Sequence, residues 1–369
     1  MKSTHHLILF ISVLIITLPT ETYSITQAEY DTVINERDAI HAKFGSNLIA
    51  VADGKASVSV DIETSDDLSI WITGGTASAT VPVSGDAQFM RFKMRDNPGS
   101  LSDVSQLSHT QSWSQETTYK RVALIKYPVS DAQTHPVLIL MHGASGNAYG
   151  MINQYMGLKD YILVALQGYD NRWNIQTESS KADDLDYIEN IINQLKTYSD
   201  VDANNISIMG SSNGAAMVNR AMIELPEGTF KNAISLASQL TTDQYNNNSF
   251  WGDANNDGNY DTGYALSPNL RALSLHGTND TTIPYDGGTV NWLSRTFIEA
   301  QQSILNIATG LGYVGVQVSG TPFTNTNIVK YEYLKGDVAH YQFIGGNHGF
   351  GGFKNELLEI IGDFISDGM

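Results

Sequence analysis

Hydrophobic residues along this chain occur in two textures. Between residues 47 and 95 they alternate with polar ones in short runs such as ASVSVDIET, LSIWITGG, ASATVPVSG and AQFMRFKM, set off by Gly and Asp. Alternation with a period of two predicts strands with one covered face, and hence a small β-rich unit. From residue 117 onward the apolar runs are continuous: VLILMHG (137–143), YILVALQG (161–168), ISIMG (206–210), AISLAS (233–238) and ALSLHG (272–277). Segments with helical spacing separate most of them, notably 182–195 and 215–225. Strands apolar on both faces, alternating with amphipathic helices, predict an α/β fold with a mostly parallel, doubly wound sheet.

The remaining segments define the ends of these regions. Residues 96–116 (DNPGSLSDVSQLSHTQSWSQE) are polar with few apolar anchors and read as a linker. Residues 26–44 have helical spacing and stop at Gly45. Lys2, His5 and His6 precede an apolar run at 7–18, and Thr22, Tyr23 and Ser24 mark a cleavage point. That run is too short to span a bilayer and has the layout of a signal peptide. The expected organisation is a signal peptide over 1–24, a helix-plus-β unit with its linker over 25–115, and an α/β domain over 116–369. The α/β domain carries a lid-like insertion near 239–268.

Composition narrows the chemistry. The absence of cysteine removes disulfides, thiolate metal sites and cysteine nucleophiles. A formal charge of −18 leaves no basic stripe for nucleic acid or an anionic membrane surface, and suits solubility outside the cell. A secreted or periplasmic protein is expected, with no nucleic-acid or membrane partner.

In open α/β sheets the site lies beyond the carboxyl ends of the strands. Gly210-Ser211-Ser212-Asn213-Gly214 follows one strand and opens a helix, the context of a nucleophile elbow, and singles out Ser212. A serine needs a base that is itself oriented by an acid, in the chain order Ser, Asp, His. Asp280 follows the run 272–277, and His348 follows a last strand near 341–344 within GGNHG, so both stand in that order. Asp286 is the rival to Asp280. His276 and His340 are read as structural, and His142 belongs to the loop after the first strand. The oxyanion donors expected from position are the N–H groups of Ala144, in MHGASG, and Asn213.

Taken together, MHGASGN, QGYDNRWN, ADDLDYI, VDANNISIMGSSNGAAM, HGTNDTTIPYDGG and GGNHGF resemble successive blocks of the α/β-hydrolase esterases grouped with polyhydroxybutyrate depolymerases and feruloyl esterases. The resemblance spans roughly residues 118–369. It implies an α/β-hydrolase fold, a Ser212–Asp280–His348 triad, and oxyanion positions at Ala144 and Asn213. It also implies substrate contacts from Trp173, Asn174 and Tyr285. The expected activity is that of a serine carboxylic ester hydrolase, of feruloyl type or acting on a related aryl-acyl ester. A polyester depolymerase acting on polyhydroxyalkanoate or an aromatic polyester is the alternative. The substrate would be an ester, and a plant cell-wall ester or a polyester would make it a polymeric one. Family members often carry cysteines and a Trp after the terminal His, whereas this chain has neither and places Phe350 there.

Two further readings stay open. Asp253, Asn255, Asp257 and Asp261, with Gly258 at the turn, match the start of a loop for a structural calcium ion, but the twelfth position is Tyr264 instead of Glu. An Asn/Asp-rich turn is the other reading of that loop; no cofactor is otherwise required. The insertion's aromatics (Tyr245, Phe250, Trp251, Tyr260 and Tyr264) would cover a substrate or form the insertion's own core. A reading of another class makes the chain a polymer-binding protein on a hydrolase scaffold, with Trp71 and Trp113 as contact platforms.

Overall fold

The computed structural model describes the backbone of residues 48–50, 55–64, 72–82 and 89–91, together with residues 100–128, 132–323 and 327–367. The signal peptide, the helix expected at 26–44 and Trp71 lie outside the described residues. The chain divides into two compact units, 1–95 and 96–369.

In the first unit, β1 (Leu48–Ala50) pairs antiparallel with β4 (Phe89–Arg91), and β2 (Lys55–Thr64) with β3 (Ile72–Pro82). Two runs expected as separate strands, LSIWITGG and ASATVPVSG, contribute to the single strand β3. Ile62 pairs with Gly75 and Glu63 with Thr73, so Gly74 is the extra residue of a bulge. Glycine in a strand weakens pairing without ending it, which is why a pair of glycines reads as a turn in the sequence.

The strands of the second unit begin with β5 (Gln106–Trp113), β6 (Glu116–Lys126), β7 (His135–Met141), β8 (Ile162–Leu166), β9 (Val201–Ser211) and β10 (Asn232–Leu236). A small antiparallel sheet of β11 (Tyr245–Asn246), β12 (Ser249–Gly252) and β13 (Thr262–Tyr264) precedes β14 (Arg271–Gly277). A hairpin of β15 (Gly288–Val290) and β16 (Arg295–Phe297) follows, then β17 (Thr321–Pro322), β18 (Ile328–Tyr333) and β19 (Val338–Phe343). The helices are α1 (Ala148–Tyr155), α2 (Asp184–Leu195), α3 (Asn213–Glu224), α4 (Ala300–Gly310) and α5 (Lys354–Ser366).

The main sheet has ten strands in the order β17-β18-β19-β14-β10-β9-β7-β8-β6-β5. Its centre, from β8 to β19, is parallel, and both edges join through antiparallel pairs. That strand order, with the serine turn between β9 and α3, is the α/β-hydrolase fold. The continuous apolar runs serve two cores at once. Val137, Ile139 and Met141 of β7 enter the cluster built with α2, α3 and α4, whereas Leu138 and Leu140 enter the cluster built with α1 and α5. Alternate residues point to opposite faces, so a strand buried on both must be apolar throughout.

Two expectations about organisation are corrected. Residues 96–116 are not a linker, because they contain β5, the edge strand of the main sheet, and belong to the second unit. Only Leu107 and Gln111 of β5 are buried, so an edge strand with little to cover keeps a polar sequence. The insertion at 239–268 packs onto the body of the domain: Phe250 lies where a Cβ on Gly310 of α4 would stand, 2.5 Å away. Tyr245 meets the Phe250 ring edge-on at 4.9 Å, and Phe250 joins the core shared with α2, α3 and α4, with Tyr245 and Tyr264 packed against it, so these aromatics extend the core of the domain. No helix among the described residues is long and apolar enough to cross a membrane.

A buried ion pair ties the sheet to its helical cover. Arg121 of β6 donates to Asp184 of α2 at 2.6 Å, neither side chain is exposed, and the guanidinium lies 4.1 Å over the Tyr187 ring. Removing one partner leaves the other charge buried without compensation, at a cost of about 3–5 kcal/mol. Asp184→Ala should lose stability of that order in urea denaturation; a change below about 1 kcal/mol would rule out this role for the pair.

Candidate active site

Ser212 sits between β9 and α3 with φ 53° and ψ −118°, a conformation that L-residues avoid. Its neighbours explain how it can persist. A Cβ on Gly210 would lie 2.2 Å from the Gly214 carbonyl, and one on Gly214 would lie 2.2 Å from the Met141 carbonyl oxygen. Strand β9, helix α3 and strand β7 therefore meet backbone to backbone, which only glycine allows. The Ser212 N–H donates to Leu236 O at 2.8 Å and fixes the turn against β10. Oγ is left facing the cleft that Ser212 lines.

Three of the expected residues come together there. His348 Nε2 lies 2.8 Å from Ser212 Oγ, and His348 Nδ1 lies 2.7 Å from Asp280 Oδ2. Asp280 follows β14 and His348 follows β19, the parallel neighbour of β14, so the sheet register brings them together across 68 residues. Asp280 is buried, which alone would raise its pKa. Hydrogen bonds from His276 and His348 and from the Ile283 N–H outweigh burial and hold the carboxyl well below the usual carboxylate range. The second oxygen, Oδ1, accepts from the N–H groups of Thr282 and Ile283 at 2.8 and 2.9 Å. Asp286, the alternative acid, makes none of these contacts among the described residues.

His276 is a support for the acid. Its Nε2 faces both Asp280 Oδ2 at 3.1 Å and Ile283 O at 2.9 Å, two acceptors, so that nitrogen carries the hydrogen. His340 lies deeper, between Ser274 Oγ and the hydroxyl of Tyr285. Burial, reinforced by nearby His276, lowers its pKa from 6.5 to about 3. Among the described residues His142 donates from Nδ1 to Gly143 O and accepts the Gly168 N–H on Nε2. It is neutral, its pKa lowered chiefly by burial.

Ala144 and Asn213 line the same cleft as Ser212. Asn213 is the first residue of α3, where an N–H has no partner within the helix, and Ala144 follows the Gly143 turn. The Ser145 N–H holds that turn by donating to Asn171 O at 2.8 Å.

The substrate contacts expected from Trp173, Asn174 and Tyr285 are corrected. Trp173 is fully buried, donates from Nε1 to His142 O at 2.8 Å, and exchanges backbone hydrogen bonds with the Asn213 side chain. Asn174 is buried between Asp184, Asn256 and Arg220. The Tyr285 hydroxyl turns inward to His340 and Gln301. The backbone at Arg172 is extended (φ −155°, ψ 170°), so successive side chains alternate; Trp173 turns into the core and Arg172 into the cleft. A reading by residue type selects the aromatic of NRWN, whereas the backbone presents its neighbour.

The cleft holds about 360 Å³, and Arg172, Glu178, Trp292 and Arg295 on its walls were missed in the sequence. No local motif marks them, because Glu178 and Arg295 meet across 117 residues. Arg295 donates to both carboxylate oxygens of Glu178 at 2.7 Å. Burial would raise the Glu178 pKa; the Arg295 charge and hydrogen bonds and the Gln176 N–H outweigh it and lower the value. No residue of the 239–268 insertion lines this cleft. The insertion supports the 172–178 wall from behind, through Tyr260 OH to Ile175 O at 2.7 Å and Gln176 to Asp243 at 2.9 Å.

The calcium expectation does not fit the loop. Both Asp253 oxygens accept backbone N–H groups, from Asp257 and Gly258 at 2.9 Å, and the Arg220 cation stands 3.5 Å away. Asn255, Asp257 and Asp261 are exposed, and no cluster of three or more His, Cys, Asp or Glu suited to a metal occurs among the described residues. The loop is closed as an Asx turn by its own backbone.

The chain matches no protein-family profile and no curated protein by sequence. Among solved structures it is similar to an acetyl xylan esterase from Aspergillus awamori, with TM-score 0.47 and 17% identity, covering 70% of this chain and 99% of that one. It is similar to Est1E from Butyrivibrio proteoclasticus, with TM-score 0.43 and 12% identity over 71% of this chain and 98% of that one. A propionate-bound esterase 2 from Thermogutta terrifontis gives TM-score 0.45 and 16% identity over 72% and 94%. Similarities this low carry no argument; the fold and the site rest on the strand order and distances of this chain.

Two outcomes are expected. Gly214→Ala, whose methyl would meet the Met141 carbonyl at 2.2 Å, should disrupt the elbow and lower the melting temperature; a normal melt with normal turnover would show that the turn yields. Acid should destabilise the protein. The unfolded chain protonates His340 near pH 6.5 and the folded chain only near 3, so the unfolded state binds more protons in that window and stability falls with pH across it. Melting temperatures between pH 7 and 4 should fall less steeply for His340→Gln than for wild type; equal slopes would remove His340 as a cause.

Proposed function

We propose that this protein is an exported serine carboxylic ester hydrolase. The observation that carries the reading is the hydrogen-bonded run from Asp280 through His348 to Ser212 Oγ, at a strained turn that opens into a cleft. His348 Nε2 takes the Ser212 proton as Oγ attacks the ester carbonyl. Asp280 fixes the imidazole with Nδ1–H toward itself and stabilises the cation that forms. The N–H groups of Ala144 and Asn213 receive the developing oxyanion, aided by the positive end of α3. His348 then returns its proton to the leaving alcohol, and a water activated by the same nitrogen releases the acid from Ser212. The scheme calls on no metal or organic cofactor. Export rests on the signal-peptide layout of residues 1–24.

For the substrate we favour a feruloyl-type or related aryl-acyl ester. Trp292, 70% exposed on the cleft wall, offers an indole face to an aromatic acyl group. A polyester of hydroxy acids or of aromatic units is the alternative, resting on the resemblance to depolymerase blocks.

Hydrolysis of p-nitrophenyl acetate and methyl ferulate by wild type, Ser212→Ala and Asp280→Asn tests the reading. Wild type should cleave both, Ser212→Ala neither, and Asp280→Asn should lose roughly ten-thousandfold in kcat by favouring the wrong tautomer of His348. Undiminished turnover by Ser212→Ala would reject the nucleophile. Activity on the acetate alone would move the substrate to the polyester class. Silence on both from folded protein would favour the polymer-binding reading.

A further inference from the structure

The cleft beside Ser212 carries charge of the opposite sign to the molecule. Its lining includes two arginines, Arg172 and Arg295, and one acid, Glu178, with no Asp or Lys. Two positive groups less one negative leave a surplus of one positive charge, in a chain whose formal net charge is −18. The two arginines are not equivalent. Arg295 is held against Glu178 at 2.7 Å and is neutralised there. Glu178 is itself saturated, since it also accepts the Ile175 and Gln176 N–H groups at 3.0 and 2.9 Å. Arg172 has no ion pair and no side-chain hydrogen bond among the described residues, and its Nε is buried without a partner.

The Nε atoms of Arg121 and Arg295 are buried without a partner too, but those guanidiniums are met at their terminal nitrogens by Asp184 and Glu178. Arg172 meets no anion at any nitrogen among the described residues, so it gains most from an acceptor. Its base is rigid. The Arg172 N–H donates to Tyr169 O at 3.1 Å, and the next N–H, of Trp173, donates to Asn213 Oδ1 at 2.7 Å. Asn213 directly follows Ser212, so Arg172 stands one residue from an anchor on the nucleophile's own neighbour. Guanidinium geometry matches a carboxylate in a two-point, charge-assisted contact, stronger than neutral hydrogen bonds.

We infer that Arg172 is the specificity-determining residue of this cleft and that it recognises a free carboxylate on the ester substrate. The inference rests on the esterase reading above and deepens it. The substrate class is an ester that keeps one acid group unesterified, on either the acyl or the alcohol part. A hydroxy-acid oligomer with its terminal carboxylate, or an ester of a sugar acid, has this character.

Matched pairs of substrates test it on the full mature chain. On the acyl side, 4-nitrophenyl hydrogen glutarate is compared with 4-nitrophenyl butyrate. On the alcohol side, the linear dimer of 3-hydroxybutyrate is compared with its methyl ester. In each pair the readout is the ratio of kcat/KM values, acid over neutral, which divides out any general loss of activity in a variant. Wild type should favour the acid member of one pair by at least about tenfold, and that pair identifies the side on which the carboxylate sits. Arg172→Gln should bring the ratio close to one, and Arg172→Lys should retain part of it. No acid preference in wild type, or a ratio that Arg172→Gln leaves unchanged, overturns the inference while turnover of the neutral esters leaves the esterase reading intact. Silence on all four esters from folded protein overturns both.

Discussion

Ser212 is held in a backbone conformation that costs an L-residue about 1–3 kcal/mol, and the rest of the site follows from how that strain is imposed. Three contacts over-determine the turn: Gly210 against Gly214, Gly214 against the Met141 carbonyl, and the Ser212 N–H on Leu236 O. They involve β9, α3, β7 and β10, so the centre of the parallel sheet clamps a single residue. The same clamp starts α3 directly after the serine and puts the Asn213 side chain within reach of the Trp173 backbone. The expected nucleophile, the expected oxyanion donor and the cleft wall are consequences of one close approach of backbones.

The acid is governed by a balance of opposing terms. Burial of Asp280 disfavours its charge, yet four donors converge on its two oxygens: His348 and His276 on Oδ2, and the N–H groups of Thr282 and Ile283 on Oδ1. Hydrogen bonds to the ionised form outweigh desolvation, so the carboxylate stays charged and stationary. A second polar set, Tyr285–His340–Ser274, lies further inward and touches the first only where the His276 and Tyr285 rings meet edge-on at 5.7 Å. Those residues explain why a motif as long as HGTNDTTIPYDGG surrounds one acid. Much of it makes the turn that holds Asp280, and Tyr285 serves the interior instead of the substrate.

What was legible in the sequence depended on whether a residue's task was local. The inner strands announce themselves because two-sided burial demands unbroken apolar runs, and the three chemical residues stand immediately after such runs. Strand β5 was illegible because an edge strand with two buried positions has no reason to look unlike a loop. The calcium reading failed for a related reason: the spacing of Asp253, Asn255, Asp257 and Asp261 also suits an Asx turn, and the deciding partner, Arg220, lies on α3. In NRWN the residue types were noticed, but the pleat, which sets which of two neighbours faces the cleft, depends on anchors at Asn213 and Asp184 distant in sequence. Long-range pairing likewise hid Glu178 and Arg295.

The buried charges behind the cleft give that wall its rigidity. Asp184 takes Arg121 on one oxygen and the Asn174 N–H on the other, while Arg220 reaches the Asn174 carbonyl, Glu224 and Asp253. Such pairs contribute little net stability, but they fix position, since each member would be left uncompensated if the wall shifted. A rigid wall matters for a carboxylate substrate because the protein's charge acts at two ranges. The surface acidity repels an approaching anion over distances that salt screens, with a Debye length of about 8 Å at physiological ionic strength. The contact proposed at Arg172 would form beside an Nε that is already buried, so salt would weaken it less. Added salt therefore helps the anion arrive more than it harms its retention, the reverse of a protein that draws its ligand in by net charge.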